Sequence, residues 1–278
     1  MKYIPLLLIL LVVPARCRPE GTRPTGDSLF AQAAGQTLEH EFPNQDISFL
    51  LLDAHTGQLI ASRWEQLDYP IALGSLAKPF AALAYGEEHD SRYPVHHCRG
   101  TATGCWRPSG HGEVDLTSAI AYSCNSYFRA LTANLTSRDV YPIAIRFGLE
   151  PPDNGVSGAA LAGLGPKWKV SPLHLALAYI ELAHRRDESA VKQILNGMEE
   201  SAREGTGAEV DRALRVSDAA VKTGTAECTH ARHAPGDGFV VALVPADDPK
   251  ILLMVRVHGV PGAQAARTAG QVLWKLGN

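Results

Sequence analysis

Gly74-Ser75-Leu76-Ala77-Lys78-Pro79-Phe80 is the stretch on which the reading of this 278-residue chain turns. Pro79 has no N–H, so a helix can hold it only in its first turn, where amide donors have no intrahelical partner. A helix therefore starts at Ser75 or Leu76, and the apolar, alanine-rich residues 80–85 carry it on to Glu87. A spacing of three puts Ser75 and Lys78 on one helix face. A serine hydroxyl is a poor nucleophile until a base takes its proton, and a lysine amine can be that base when burial or a second cation lowers its pKa. The helix N-terminus also favours negative charge developing beside it. Read alone, the pair is a weak signal, because a serine cap followed by a solvated lysine accounts for it.

On its N-terminal side, residues 47–53 are an apolar run, Ala54-His55-Thr56-Gly57 supplies turn chemistry, and 58–62 returns as a second strand of a β-hairpin. On its C-terminal side, 88–113 reads as a long polar loop. Helical segments at 116–122 and 126–135 then flank Ser123-Cys124-Asn125, and 136–166 is mixed, with many glycines and prolines. Residues 172–184 and 191–204 have the apolar spacing of helices. The last third reverts to strands: 218–225, carrying Lys222-Thr223-Gly224, then 238–244 and 251–257 joined by the turn residues 245–250. An amphipathic helix over 264–276 closes the chain. Strands at both ends with helices between them predict an α/β (α+β) fold. Its antiparallel five-stranded sheet joins the N-terminal hairpin to the C-terminal strands, flanked by helices and beside a helical lobe.

Composition sets the frame. With 45% hydrophobic and 20% charged residues and a net charge of −3, the chain offers no electrostatic case for nucleic acid or for an anionic membrane surface. Lys2, the apolar run 4–13 and Pro14-Ala15 read as an export signal over 1–15, with cleavage after Ala15. The run is too short to span a bilayer, and the alternative is an uncleaved interfacial anchor giving weak membrane association. Cys17 stands where a lipoprotein's acylated cysteine would, but Arg16 before it fits that poorly. Residues 16–45, rich in Arg, Pro, Gly and Thr, read as a flexible leader before a catalytic domain over 46–278.

Export implies an oxidising compartment, in which cysteines can pair. Cys98 and Cys105 lie close together in the polar loop and are expected to form a local disulfide. No C-x-x-C pattern is present, so His96, His97 and His111 are read as solvated, His111 in a structural role, and no metal is expected. Cys124 and Cys228 each adjoin a motif and are read as buried free thiols rather than as a redox pair.

Ser75-x-x-Lys78, Ser123-x-Asn125 and Lys222-Thr223-Gly224 stand in order along the chain. Together they resemble the motif set of penicillin-binding proteins and class A β-lactamases. The segment from Gly110-His111-Gly112 to Tyr127-Phe128, and Lys222-Thr223-Gly224-Thr225-Ala226-Glu227, are similar to the second and third motif regions of class B penicillin-binding proteins. The resemblance covers 47–273 and implies a β-lactamase/transpeptidase-like fold without cofactors. It further implies that Ser75 attacks a carbonyl, Lys78 takes its proton, and Ser123 relays a proton to the leaving amine. Asn125 would hold the substrate peptide. Backbone N–H groups of Ser75 and Thr225 would hold the oxyanion. Lys222 would supply a second cation, and Thr223, Gly224 and Thr225 would line the site, the two hydroxyls binding the carboxylate of a D-Ala-D-Ala stem peptide of peptidoglycan.

β-Lactams would then be covalent inhibitors. The acyl group would leave to an amine, as in a D,D-transpeptidase, or to water, as in a D,D-carboxypeptidase. The membrane helix and pedestal domain usual in class B members are not seen, which argues against a core divisome or elongation role. A serine β-lactamase is the rival within the fold. Glu150 and Asn154 have the spacing that class A enzymes use to activate water, but here that spacing reads as accidental. The rival of another class is an idle peptidoglycan- or β-lactam-binding sensor module, which would be expected to lose a motif residue.

Overall fold

The computed structural model describes residues 26–214, 218–228 and 236–277, so the export signal expected over 1–15 lies outside the described residues. Helix α1 (Gly26–Glu41) precedes the hairpin of β1 (Ile47–Asp53) and β2 (Leu59–Arg63). A short β3 (Ile71–Ala72) leads into a 3₁₀ turn (Gly74–Ala77) and α2 (Lys78–Glu88). The polar loop carries a small hairpin of β4 (His96–Cys98) and β5 (Gly112–Val114). Helices α3 (Leu116–Ala121), α4 (Asn125–Leu131) and α5 (Ser137–Arg146) follow. Strand β6 (Lys169–Val170) pairs with β3 ahead of α6 (Pro172–His184), α7 (Ser189–Arg203) and α8 (Ala208–Asp211). Strands β7 (Ala220–Ala226), β8 (Asp237–Val244) and β9 (Ile251–Val257) and helix α9 (Gly262–Leu276) end the domain.

The large sheet has the order β2-β1-β9-β8-β7, with every neighbouring pair antiparallel. Both of its faces are covered. Successive side chains of a strand point to opposite faces. Phe49 and Leu51 accordingly pack with residues of α1 and α9, and Leu50 and Leu52 with those of α2 and α6. Double coverage is why β1, β8 and β9 read as unbroken apolar runs rather than as alternating ones. Phe80 of α2 fixes the lobe by meeting the rings of Phe147 and Tyr179 edge-on, at 5.5 and 5.4 Å.

Two helices depart from the sequence reading. The flexible leader expected over 16–45 is helical from Gly26 to Glu41. Ala34, Leu38 and Phe42, spaced four apart, are buried against the sheet. Burying a Leu or Phe side chain stabilises by about 1.5–3 kcal/mol, which outweighs a loop-like composition. The mixed stretch 136–166 begins with α5, held at its start by a capping box between Thr136 and Asp139 although Pro142 lies inside it. Among the described residues no helix is long and apolar enough to cross a membrane.

Candidate active site

Ser75 lies half-buried on the 3₁₀ turn, where the turn meets the edge strand β7. The contact is backbone to backbone. Gly74 has φ of +59°, and a Cβ there would lie 2.1 Å from the Thr225 carbonyl oxygen. A Cβ on Gly224 would lie 2.7 Å from the Leu73 carbonyl oxygen. Both glycines are therefore required by the approach of β7 to the nucleophile turn. From the lobe side, Tyr179 Oη donates to the Leu76 carbonyl at 2.9 Å and pins the same turn. The α-helix proper starts at Lys78, with Pro79 in its first turn, as Pro79 requires.

Two lysines of the motifs, Lys78 and Lys222, are fully buried, both with 0% exposure. Lys78 Nζ donates to the Ser123 carbonyl at 2.7 Å, to Asn125 Oδ1 at 2.7 Å and to Ser123 Oγ at 3.2 Å. Lys222 Nζ donates to Ser123 Oγ at 3.0 Å and to the Thr223 carbonyl at 2.7 Å. The Ser123 hydroxyl thus bridges the two amines. Burial pushes Lys78 down to about 7, against the opposing pull of the Cys124 and Cys105 thiols. Burial also drives Lys222 well below the ordinary lysine range, and the neighbouring Lys78 drives it further the same way. An isolated buried ammonium is costly, so an amine in this position releases its proton readily and can serve as a base near neutral pH. Ser123 sits at φ +50°, in the left-handed region, a conformation costing a non-glycine residue about 1–3 kcal/mol and held only where neighbours enforce it.

The structure joins Lys78, Ser123, Asn125 and Lys222 in one hydrogen-bonded cluster, and the turn that carries Ser75, three residues before Lys78, lies against Gly224 and Thr225 on the sheet edge. Thr225 is exposed, and its Oγ1 accepts from Gly262 N at 2.9 Å, which leaves its own proton free to donate. Thr223 differs from expectation. It is buried, and its hydroxyl lies 2.6 Å from that of Thr206, so binding a carboxylate there would mean giving up that bond. A groove of about 420 Å³ is lined by Ile71, Ala72, Glu227 and Arg256 among others, and none of the motif residues lines it.

Glu150 is spoken for elsewhere. Its Oε2 accepts from Ser171 N at 3.1 Å and its Oε1 meets His174 Nδ1 at 2.8 Å, so it fastens the start of α6. The expected Cys98–Cys105 disulfide is absent: both are free thiols. Cys98, Cys105 and Cys124 with His111 instead form one cluster whose four ligand atoms all lie within 4.8 Å of one another. Cys124 is therefore a buried free thiol, as expected, and burial pushes it up to about 12, which makes it a poor rival nucleophile. Cys228 is free and half-buried rather than buried.

A serine on a turn pressed against a sheet edge, with two buried lysines whose pKa values burial lowers, is an arrangement suited to a serine acyltransferase. The chain belongs to the penicillin-binding protein transpeptidase domain family, whose model matches residues 47–276. No curated protein sequence matches this chain. Among solved structures it is similar to Pseudomonas aeruginosa PBP2 in complex with WCK 5153, at 17% identity and a TM-score of 0.73 over 89% of this chain and 73% of that one. It is also similar to the transpeptidase domain of the FtsI4 D,D-transpeptidase from Legionella pneumophila, at 20% identity and a TM-score of 0.65 over 92% and 98%. The transpeptidase domain of Burkholderia pseudomallei penicillin-binding protein 3 matches at 16% identity and a TM-score of 0.67 over 90% and 92%. At these identities the likeness is one of fold, and the expected mixed fold with its five-stranded antiparallel sheet is the fold these domains share.

Proposed function

We propose that this protein is a penicillin-binding serine D,D-transpeptidase that acts on peptidoglycan stem peptides ending in D-Ala-D-Ala, outside the cytoplasm, through an acyl-enzyme on Ser75. The observation that carries this reading is the Ser123 hydroxyl held between two fully buried lysine amines. Neutral Lys78 takes the Ser75 proton as Oγ bonds to the penultimate D-Ala carbonyl carbon. The oxyanion is held by the N–H groups of Ser75 and Thr225, a reading that the close approach of Gly74 to the Thr225 backbone supports. Collapse breaks the C–N bond to the terminal D-Ala, and its amine receives a proton through Ser123. Thr225, exposed on β7, meets the terminal carboxylate with its hydroxyl, and Lys222 acts behind it through Ser123. Asn125 Oδ1 orients Lys78, while its amide N–H remains available to the peptide.

An acceptor amine then attacks the ester. Release by water would make the same site a D,D-carboxypeptidase. The engagement of Glu150 at α6 favours a long-lived acyl-enzyme over a β-lactamase, which would need a group to activate water. The complete motif set disfavours an idle sensor module. Labelling with a fluorescent penicillin tests the reading. The wild-type chain should form a stable adduct, and Ser75→Ala should label at least about 10³-fold more slowly. A D-Ala-D-Ala peptide supplied with and without an acceptor amine separates transfer from hydrolysis. Wild-type protein that neither labels nor releases D-alanine would overturn the proposal.

A further inference from the structure

A second cavity, of about 430 Å³, has no part in the acylation steps, and its lining includes Trp106, Arg107, Tyr122, Thr206, Arg212 and Ala263. Three of these are tied to motif residues. Tyr122 directly precedes Ser123. Thr206 Oγ1 accepts from Thr223 Oγ1 at 2.6 Å and donates to the Ala121 carbonyl at 3.3 Å. Ala263 follows Gly262, whose N–H donates to Thr225 Oγ1 at 2.9 Å. Part of the wall is aromatic. Trp106 is 52% exposed, although tryptophan is on average highly buried, and its Nε1 donates to the Tyr122 carbonyl at 3.1 Å. The His111 ring lies 5.5 Å from the ring of Trp106 and 5.6 Å from that of Tyr122. Another part is charged. Glu209 pairs with Arg212 and, at 3.4 Å, with Arg267, so its charge is met within the protein. Arg107 is exposed, and among the described residues no carboxylate pairs with it.

The chemistry of acyl transfer dictates what comes to this side of the motifs. Attack by an acceptor amine is the departure of the terminal D-Ala run in reverse, so the same groups handle the proton. The acceptor therefore enters where D-Ala left. Its nitrogen bonds to the acyl carbon, and the bond from that carbon to Ser75 Oγ breaks. One amine proton passes to Ser123, and a proton returns to Ser75 Oγ from Lys78. A carboxylate on the amine's own carbon takes the place of the D-Ala carboxylate at Thr225. Whatever the acceptor carries in place of the D-Ala methyl group needs room, and the cavity joined to Ser123, Thr223 and Thr225 supplies it.

We propose that this cavity is the acceptor subsite, that it selects amines bearing a carboxylate on the same carbon in the D configuration, and that Trp106 and Arg107 bind the acceptor's side chain. Trp106 meets its apolar part, and Arg107 meets an acidic group upon it. The subsite rests on the acyl-transfer reading and adds to it the class of amine. A well-placed aromatic contact is worth about two- to tenfold in affinity, and an exposed arginine–carboxylate pair up to about fivefold.

The test gives purified full-length protein a D-Ala-D-Ala donor peptide with one acceptor at a time. Mass spectrometry measures the ratio of transferred to hydrolysed product. That ratio does not depend on the acylation rate, so a merely structural disturbance of the Ser75 turn leaves it unmoved. D-Alanine should be transferred, and L-alanine and ethylamine at least about tenfold less well. D-Phenylalanine should exceed D-alanine about two- to tenfold, and D-glutamate should exceed D-glutamine about two- to fivefold. Trp106→Ala should remove the first preference and Arg107→Gln the second, each by raising the acceptor concentration needed for half-maximal transfer. Arg107→Lys should keep part of the second. Tyr141→Ala, at an exposed residue of α5, should change neither. Equal transfer to D- and L-alanine, or variants that keep both preferences, would overturn the subsite. Hydrolysis of the donor with no transfer to any amine would also overturn it and leave the Ser75 acyl-enzyme standing. A wild-type chain that neither labels with penicillin nor releases D-alanine would overturn the acyl-transfer reading and the subsite with it.

Discussion

Two polar clusters meet at the turn Ser123-Cys124-Asn125. Ser123 and Asn125 face the buried lysines, and Cys124 between them faces the thiols and His111. One cluster is built from amines whose pKa values burial lowers, and the other from three thiols and an imidazole. Positive charge is unfavourable where the lysine cluster sits, which suits it to take up a proton in the proposed reaction. The cysteine cluster converges on one point although nothing in acyl transfer uses it. A three-residue motif thus contributes to two clusters, its outer residues to the lysines and its middle residue to the thiols.

The comparison breaks most sharply at Lys78. Methionine has a similar volume and no charge, but it leaves the Ser123 carbonyl and Asn125 Oδ1 without the donor they share. Lys78→Met is expected to slow penicillin labelling roughly 10²- to 10⁴-fold, the usual worth of a positioned base, and to cost about 1–3 kcal/mol of stability while the protein stays folded. Parallel labelling and urea titration check both halves, and a variant that unfolds would show Lys78 to be structural. A pH profile gives the next effect. Lys78 must be neutral to accept the Ser75 proton, and its pKa is lowered to about 7. The acylation rate should therefore fall about tenfold per pH unit below that value and level off above it. A rate flat from pH 5 to 8 would exclude Lys78 as the titrating base.

A smaller effect lies at the support of the turn. Tyr179→Phe leaves the Leu76 carbonyl without its buried donor. The loss should cost about 1–3 kcal/mol in urea denaturation and slow labelling of Ser75 several-fold. Unchanged labelling would mean that β7 alone holds the nucleophile.

The two clusters also differ in how far the sequence discloses them. Ser75 and Lys78 are three residues apart, and Ser123 and Asn125 are two apart, so their chemistry shows as short spacings that local geometry preserves. Lys222 lies far along the chain but sits in an equally short motif. The thiol cluster draws on Cys98, Cys105, His111 and Cys124, at unequal gaps bridged by a small hairpin and a helix, so no local pattern marks it. The sheet was legible because both faces are covered and its strands are unbroken apolar runs. Helix α1 was hidden by the composition around it, although Ala34, Leu38 and Phe42 carry a four-residue spacing. Helix α5 was hidden by Pro142, although Thr136 and Asp139 spell out its cap.

The smallest expected effect separates the acyltransferase reading from its nearest rival. If Glu150 activated water, removing its charge would trap the acyl-enzyme. Both of its oxygens instead hold the first residues of α6, Ser171 N and His174 Nδ1. Glutamine keeps one carbonyl acceptor of the same reach, so Glu150→Gln should lose about 0.5–1.5 kcal/mol of stability. It should change the lifetime of the penicillin adduct by no more than about twofold. Adduct decay followed by mass spectrometry measures this directly. A decay ten or more times slower would place Glu150 in deacylation and make hydrolysis, rather than transfer to an amine, the natural fate of the Ser75 ester. An unchanged decay leaves the acceptor amine as the group that frees Ser75, because Glu150 then serves α6 and not the ester.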